Sequence, residues 1–156
     1  METCVLCKGE LVAGTTRHVV AFGDERVSVE VPAQVCRGCD ESFVEGSDIE
    51  RAELTVAAAI IASGQRNGPR FRFLRKAIGT SAKDLAAMFD VAPETISRWE
   101  RGEREVDGLA WVALAGLVRE RIAGRDDVKK ILEAMRKPTP LPSLLALEVS
   151  SRRVAT

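Results

Sequence analysis

The sequence predicts an α+β chain, a small β-hairpin unit followed by an all-α unit. Three observations predict it. All four cysteines fall early, as the C-x-x-C pairs Cys4/Cys7 and Cys36/Cys39. The 28 residues between the pairs hold two β-rich runs, "RHVVAF" and "RVSVEVP". From Arg70 onward the strand signals stop, and apolar residues recur at helical spacing.

In the front unit, Val27, Val29 and Val31 alternate with Ser28 and Glu30, the period of a strand with one buried face. "GDE" at 23–25 supplies the turn. Two C-x-x-C knuckles brought together across such a hairpin form the donor set of a tetrahedral Cys₄ zinc site. A unit of 46 residues buries little core, and a metal is the usual remedy at that size. With four sulfurs the shell is closed, so one structural Zn²⁺ per chain is expected, held by Cys4, Cys7, Cys36 and Cys39. A redox dithiol and two unrelated thiol pairs are the competing readings. The first normally sits beside a βαβ pattern, which is absent here. His18, the single histidine, lies mid-strand and reads as a surface or packing residue.

After the second knuckle, Ser47 is a candidate helix cap. Asp48 and Glu50 suit a first turn, and Leu54, Ala57, Ala58 and Ile61 recur at helical spacing. The expected organisation is a metal-binding unit at 1–46, a connecting helix at 47–63, a linker "GQRNGP" at 64–69, a helical unit at 70–137 and a proline-rich tail at 138–156.

The helical unit opens with "RFRFLRKAIG", with Phe73, Leu74, Ala77 and Ile78 inward and Gly79 as the stop. In "TSAKDLAAMFD", Ser81 caps, and Leu85, Ala86 and Phe89 form the inner stripe. A joint at Asp90-Val91-Ala92 precedes Pro93, which opens a third helix where its missing N–H costs nothing. Ile96 and Trp99 then face inward, leaving Glu94, Thr95, Ser97 and Arg98 on or near the outer surface. Two short helices across a three-residue joint, the second polar outside, have the form of a helix-turn-helix.

"LRKAIGTSAKDLAAMFDVAPETISRWERGERE" resembles the Xre/Cro-type helix-turn-helix. Together with the two C-x-x-C pairs and "CRGCDES" ahead of it, the layout resembles the MqsA (YgiT-type) antitoxins over most of residues 4–120. The resemblance implies that the start of the third helix enters the major groove, with Glu94, Thr95 and Arg98 nearest the bases and Ser97 beside them. Arg98 could donate two N–H groups to a guanine; the competing reading is a solvated charge. Glu94 replaces the amide side chain common in the family, and Ala82 replaces a glutamine that holds a phosphate, leaving Thr80, Ser81 and Lys83 for that contact. Arg101 and Arg104 flank the following turn as phosphate contacts. Arg75 and Glu100 fall where this fold has a partly buried ion pair.

Charge and hydropathy bear on partners. Residues 1–65 hold 5 Lys/Arg against 11 Asp/Glu, and residues 66–137 hold 16 against 11, an acidic front and a basic middle. The basic middle suits double-stranded DNA. Under the resemblance the DNA is a palindromic site in the chain's own promoter, and the front neutralises a basic ribonuclease toxin. "GLAWVALAGLVRERIAG" (108–124) is apolar on two faces: Leu109, Val112, Gly116 and Leu117 on one, Trp111, Leu114, Val118 and Ile122 on the other. One face needs a further partner, either a second copy, giving a homodimer through the C-terminal unit, or the helix expected at 126–137. No apolar run is long enough to span a membrane, and the start lacks an export pattern, so a cytoplasmic protein with reduced thiols is expected. Two alternatives to an antitoxin remain. One is a stand-alone regulator whose zinc unit is structural or senses metal or redox state. The other, a thiol redox enzyme, is disfavoured because no nucleophile–base pair is visible. In the tail, "SLLALEV" is apolar enough to dock.

Overall fold

A computed structural model describes residues 3–143. Strands β1 (Leu11–Phe22) and β2 (Glu25–Cys36) form an antiparallel hairpin in unbroken register, from Leu11↔Cys36 at the base to Phe22↔Glu25 at the tip. Both strands outrun the β-rich segments of the sequence, because pairing recruits weak formers such as Ala13, Gly14 and Pro32. Pro32 is tolerated because β3 (Ser42–Phe43) pairs only with Gln34 and Val35, leaving β2 an edge strand at the proline. At the tip Gly23 takes φ 56°, which a two-residue hairpin turn favours at its first position.

Six helices follow: α1 (Gly46–Ser63), α2 (Gly68–Ala77), α3 (Ala82–Met88), α4 (Pro93–Glu100), α5 (Gly108–Ala123) and α6 (Asp127–Arg136). The chain is thus α+β as expected. Ser47 is not the cap of α1; the helix begins one residue earlier, with Glu45 at the N-cap and no side-chain bond there. Its buried stripe is Ala52, Val56, Ala57 and Ile60; of the expected Leu54, Ala57, Ala58 and Ile61 only Ala57 is fully buried, with Leu54 and Ile61 half-buried against the core. The small residues let the helix lie close against β2, where Val31 and Ala33 are buried. Gly68 and Pro69, read as linker residues in the sequence, form the first turn of α2, capped by the Asn67 side chain accepting from the Arg70 N–H at 2.9 Å.

One hydrophobic cluster runs through both parts of the chain. Val20 and Phe22 from β1, Val56 and Ile60 from α1, and Phe71, Leu74, Leu85, Ile96, Trp99, Leu114 and Val118 from the helices belong to it. The Phe22 and Phe73 rings lie 5.1 Å apart, and Phe71 meets Trp99 edge-on at 5.7 Å. Burying a side chain such as Phe22 contributes about 1.5–3 kcal/mol, so the hairpin tip is anchored to the helices rather than merely tethered.

Helix α5 buries Trp111, Leu114, Leu117 and Val118. Of its second apolar face, Gly116 is covered by Val128 of α6, while Leu109 and Val112 remain 81% and 65% exposed. Glu120 is also buried: its carboxylate accepts from the Val128 and Lys129 N–H groups and so caps α6, whose own N-cap Asp126 makes no capping bond and pairs instead with Lys130. Residues 138–143 follow α6 without regular structure, and most of the apolar tail segment lies outside the described residues.

Candidate metal centre and nucleic-acid interface

At the base of the hairpin the two cysteine pairs meet. The four Sγ atoms lie within 4.8 Å of one another, with Cys4–Cys39 at 3.8 Å and Cys7–Cys36 at 3.3 Å. A tetrahedron with Zn–S bonds of ~2.3 Å has edges of about 3.8 Å, so the cluster has the size of a zinc shell.

The two knuckles repeat each other. In the first, the Lys8 N–H donates to the Cys4 carbonyl and the Cys4 N–H to Gly9 O, both at 2.9 Å. In the second, the Asp40 N–H donates to Cys36 O at 3.0 Å and the Cys36 N–H to Glu41 O at 2.9 Å. Lys8 and Asp40, each directly after the second cysteine of its pair, take φ of 64° and 57°. This left-handed step turns the chain so that both sulfurs of a pair face one point.

Backbone donors then serve the sulfurs: the Gly9 N–H reaches Cys7 Sγ at 3.4 Å and the Gly38 N–H reaches Cys36 Sγ at 3.3 Å. A Cβ on Gly9 would stand 3.0 Å from Cys36 Sγ, and one on Gly38 3.3 Å from Cys7 Sγ, so both glycines leave room for the sulfurs. The sequence pointed to the cysteines but not to these two glycines; the signal was their place inside or just after a knuckle.

The Gly38 N–H draws the Cys36 thiol down to about 7. At Cys39 the backbone bond to Glu41 pulls the other way from the neighbouring Cys7 sulfur and burial, which prevail and push it up to about 12. Cys36 drawn down while Cys39 is pushed up is what crowded sulfurs produce, and a dication at the centre relieves it. The donor set, its size and its N–H···S bonds therefore fit Zn²⁺. Held by Cys4, Cys7, Cys36 and Cys39, the ion would supply cross-linking of the knuckles and no open coordination position.

In the helical unit, α3 and α4 meet across Asp90, which takes φ 53°, with the Val91 N–H donating to Ala86 O at 3.0 Å. Ser81 caps α3, accepting from the Asp84 N–H at 3.0 Å and donating to Asp84 Oδ2 at 2.6 Å. Its hydroxyl is thus already engaged. Thr80 is half-buried, and its carbonyl takes the Arg75 Nη1 bond at 2.7 Å; Lys83 is exposed.

In α4, Ile96 and Trp99 are buried as expected. Glu94, Arg98 and Arg101, spaced i, i+4, i+7, form one exposed ridge, with Thr95 and Ser97 half-buried at its sides. Among the described residues Arg98 has no ion partner, and Arg104 is likewise exposed. Arg101 is not free: it is forked onto Glu103.

Behind the ridge lies the expected ion pair. Arg75 Nε meets Glu100 Oε1 at 2.6 Å and Nη2 meets Oε2 at 3.1 Å, each side chain only 10% exposed. Arg72 stands 3.9 Å from the same carboxylate. The pair joins α2 to the end of α4.

A helix-turn-helix family matches residues 71–121, from α2 through most of α5. No curated protein matches the chain. The family match supports a DNA-binding transcription regulator, and the front of the same chain carries a four-cysteine cluster of metal-binding size. Among the described residues, no helix is long and apolar enough to cross a membrane.

Proposed function

We propose that the chain is a zinc-containing transcriptional repressor that binds a two-fold site in its own promoter as a homodimer. The observation that carries the proposal is the outer face of α4, where Arg98 stands exposed with no ion partner among the described residues, on a helix held by the buried Arg75–Glu100 pair. Glu94, Thr95, Ser97 and Arg98 enter the major groove. Arg98 donates to a guanine and Glu94 accepts from a cytosine amino group. Thr80, Ser81 and Lys83 at the start of α3, and Arg101 and Arg104 after α4, lie along the phosphates. A second copy covers Leu109 and Val112, which α6 leaves bare, and so supplies the second half-site.

On the same reading the chain is the antitoxin of a type II pair. The acidic front suits a basic ribonuclease, and β1, at the edge of the sheet, offers a long strand for pairing. A different observation favours a stand-alone metal-responsive regulator: Val20 and Phe22 of the zinc unit share a core with Leu85 and Ile96 of the DNA-binding unit.

Footprinting on the duplex upstream of the gene tests the repressor. A protected two-fold site supports it, and no protection at micromolar protein retracts it. Co-expression with the product of the adjacent reading frame separates the two sub-readings. Rescue of growth and a stable co-purifying complex support the antitoxin, while a neighbour that is harmless and does not bind favours the stand-alone regulator.

A further inference from the structure

The turn after α4 carries an acidic group where a polyanion would approach. Arg101 Nε donates to Glu103 Oε1 at 2.5 Å and Nη2 to Oε2 at 3.1 Å, with both side chains more than half exposed. The Glu103 N–H donates to Arg98 O at 3.0 Å, which folds the turn back against the last turn of α4. Glu103 therefore sits beside the ridge of Glu94, Arg98 and Arg101. The hydrogen bond from Arg101, followed by the charges of Arg101 and Arg98, holds its carboxyl below the usual carboxylate range, so it stays ionised at neutral pH. Among the described residues its side chain bonds nothing but Arg101.

We infer that Glu103 sets the affinity for DNA, occupying the Arg101 guanidinium and opposing its contact with a phosphate. The inference rests on the DNA-binding proposal. A fork uses the Nε–H and one Nη2–H, leaving Nη1 as the main free edge. A phosphate reaching that edge also meets a full negative charge a few ångströms behind it. Phosphate contacts add affinity through counterion release, without regard to sequence. Glu103 therefore lowers binding to every duplex alike, while Arg98 keeps its base contact. The cell gains a repressor that leaves its operator more readily.

The test measures wild type, Glu103→Gln, Arg101→Ala and the double variant on a promoter duplex and a scrambled duplex, at several salt concentrations. Glu103→Gln is nearly isosteric at an exposed position and leaves the fold intact. It should tighten both duplexes by about 3- to 10-fold near 0.1 M salt and steepen the salt slope by about 0.9, the signature of one added phosphate contact. In the Arg101→Ala background that gain should largely disappear. Unchanged or weaker binding of Glu103→Gln would make the carboxylate a brace for Arg101 and overturn the inference. So would a gain that survives intact in Arg101→Ala, since the effect would then not pass through the arginine. Wild type failing on both duplexes retracts the DNA-binding proposal itself, before any variant is compared.

Discussion

Arg70, in α2, grips the carboxylate of Glu25 at the hairpin tip with two bonds, Nε to Oε1 at 2.8 Å and Nη2 to Oε2 at 2.6 Å. Its remaining nitrogen, Nη1, reaches Ser63 Oγ at 3.0 Å and the Gln65 carbonyl at 3.3 Å. One guanidinium thus joins the hairpin, the end of α1 and the start of α2. The Arg70 side chain is 12% exposed and that of Glu25 39%, so solvent screens part of the attraction. Glu25→Gln should cost about 1 kcal/mol at pH 7, read from urea unfolding. The Arg70 hydrogen bond lowers the Glu25 pKa in the folded state. Its contribution is therefore complete above the unfolded value of about 4.3 and fades as pH falls through the lower folded value. The gap between wild type and variant should narrow steadily below about pH 4; a gap that stayed constant with pH would show that the carboxylate charge is not what stabilises.

The shared core makes a second expectation about the metal. Both tryptophans, Trp99 and Trp111, lie in the helical unit, far along the chain from the cysteines. Their fluorescence reports that unit alone. Because Val20 and Phe22 pack into the same cluster as Trp99, removing zinc by chelation should lower the tryptophan-detected Tm by about 10 °C or more. Metal analysis of the intact chain should give one zinc, and Cys36→Ser should reproduce the chelated behaviour. An unmoved tryptophan transition would mean that the zinc unit melts separately.

Glu100→Ala leaves Arg75 buried without its counter-charge. Removing one partner of such a pair costs about 3 kcal/mol or more, measurable as a shift in the denaturation midpoint. A variant of unchanged stability but weaker DNA binding would reassign Glu100 to the interface.

Leu109 is 81% exposed at the start of α5, on the same bare face as Val112. If a second copy covers that face, Leu109→Lys should convert a sedimenting dimer into a monomer with little change in Tm. A wild-type chain that is monomeric at micromolar concentration would remove the dimer and, with it, the cooperative occupancy of two half-sites.

Much of this was legible in the sequence because its signals are local. Two C-x-x-C pairs, an alternating valine run, Ser81 before α3 and Pro93 at the start of α4 each act within a few residues. The buried Arg75–Glu100 pair was legible only through the family resemblance, since nothing local distinguishes it from a solvated pair. What escaped depends on which distant groups meet. Glu25 and Arg70 are 45 positions apart, and neither carries a pattern that names the other. In α1 only Ala57 of the expected stripe is fully buried, because the face turned inward is set by the distant β strands and by α2 and α5, which place Ala52, Val56 and Ile60 in the interior and leave Leu54 and Ile61 half-buried at its edge. Glu120 carries no local signal of its burial, because its partners are the Val128 and Lys129 N–H groups of the next helix.

The most direct test of the central reading concerns Arg98. Wild type and Arg98→Ala would be titrated onto the promoter duplex and a scrambled one at two salt concentrations. The expected result is a wild-type preference for the promoter of about 10³-fold or more. Arg98→Ala should then lose about 1–3 kcal/mol of that discrimination with little change in salt slope. Equal wild-type binding to both duplexes with a steep salt slope, or an Arg98→Ala variant that keeps the full preference, would contradict base reading by this helix.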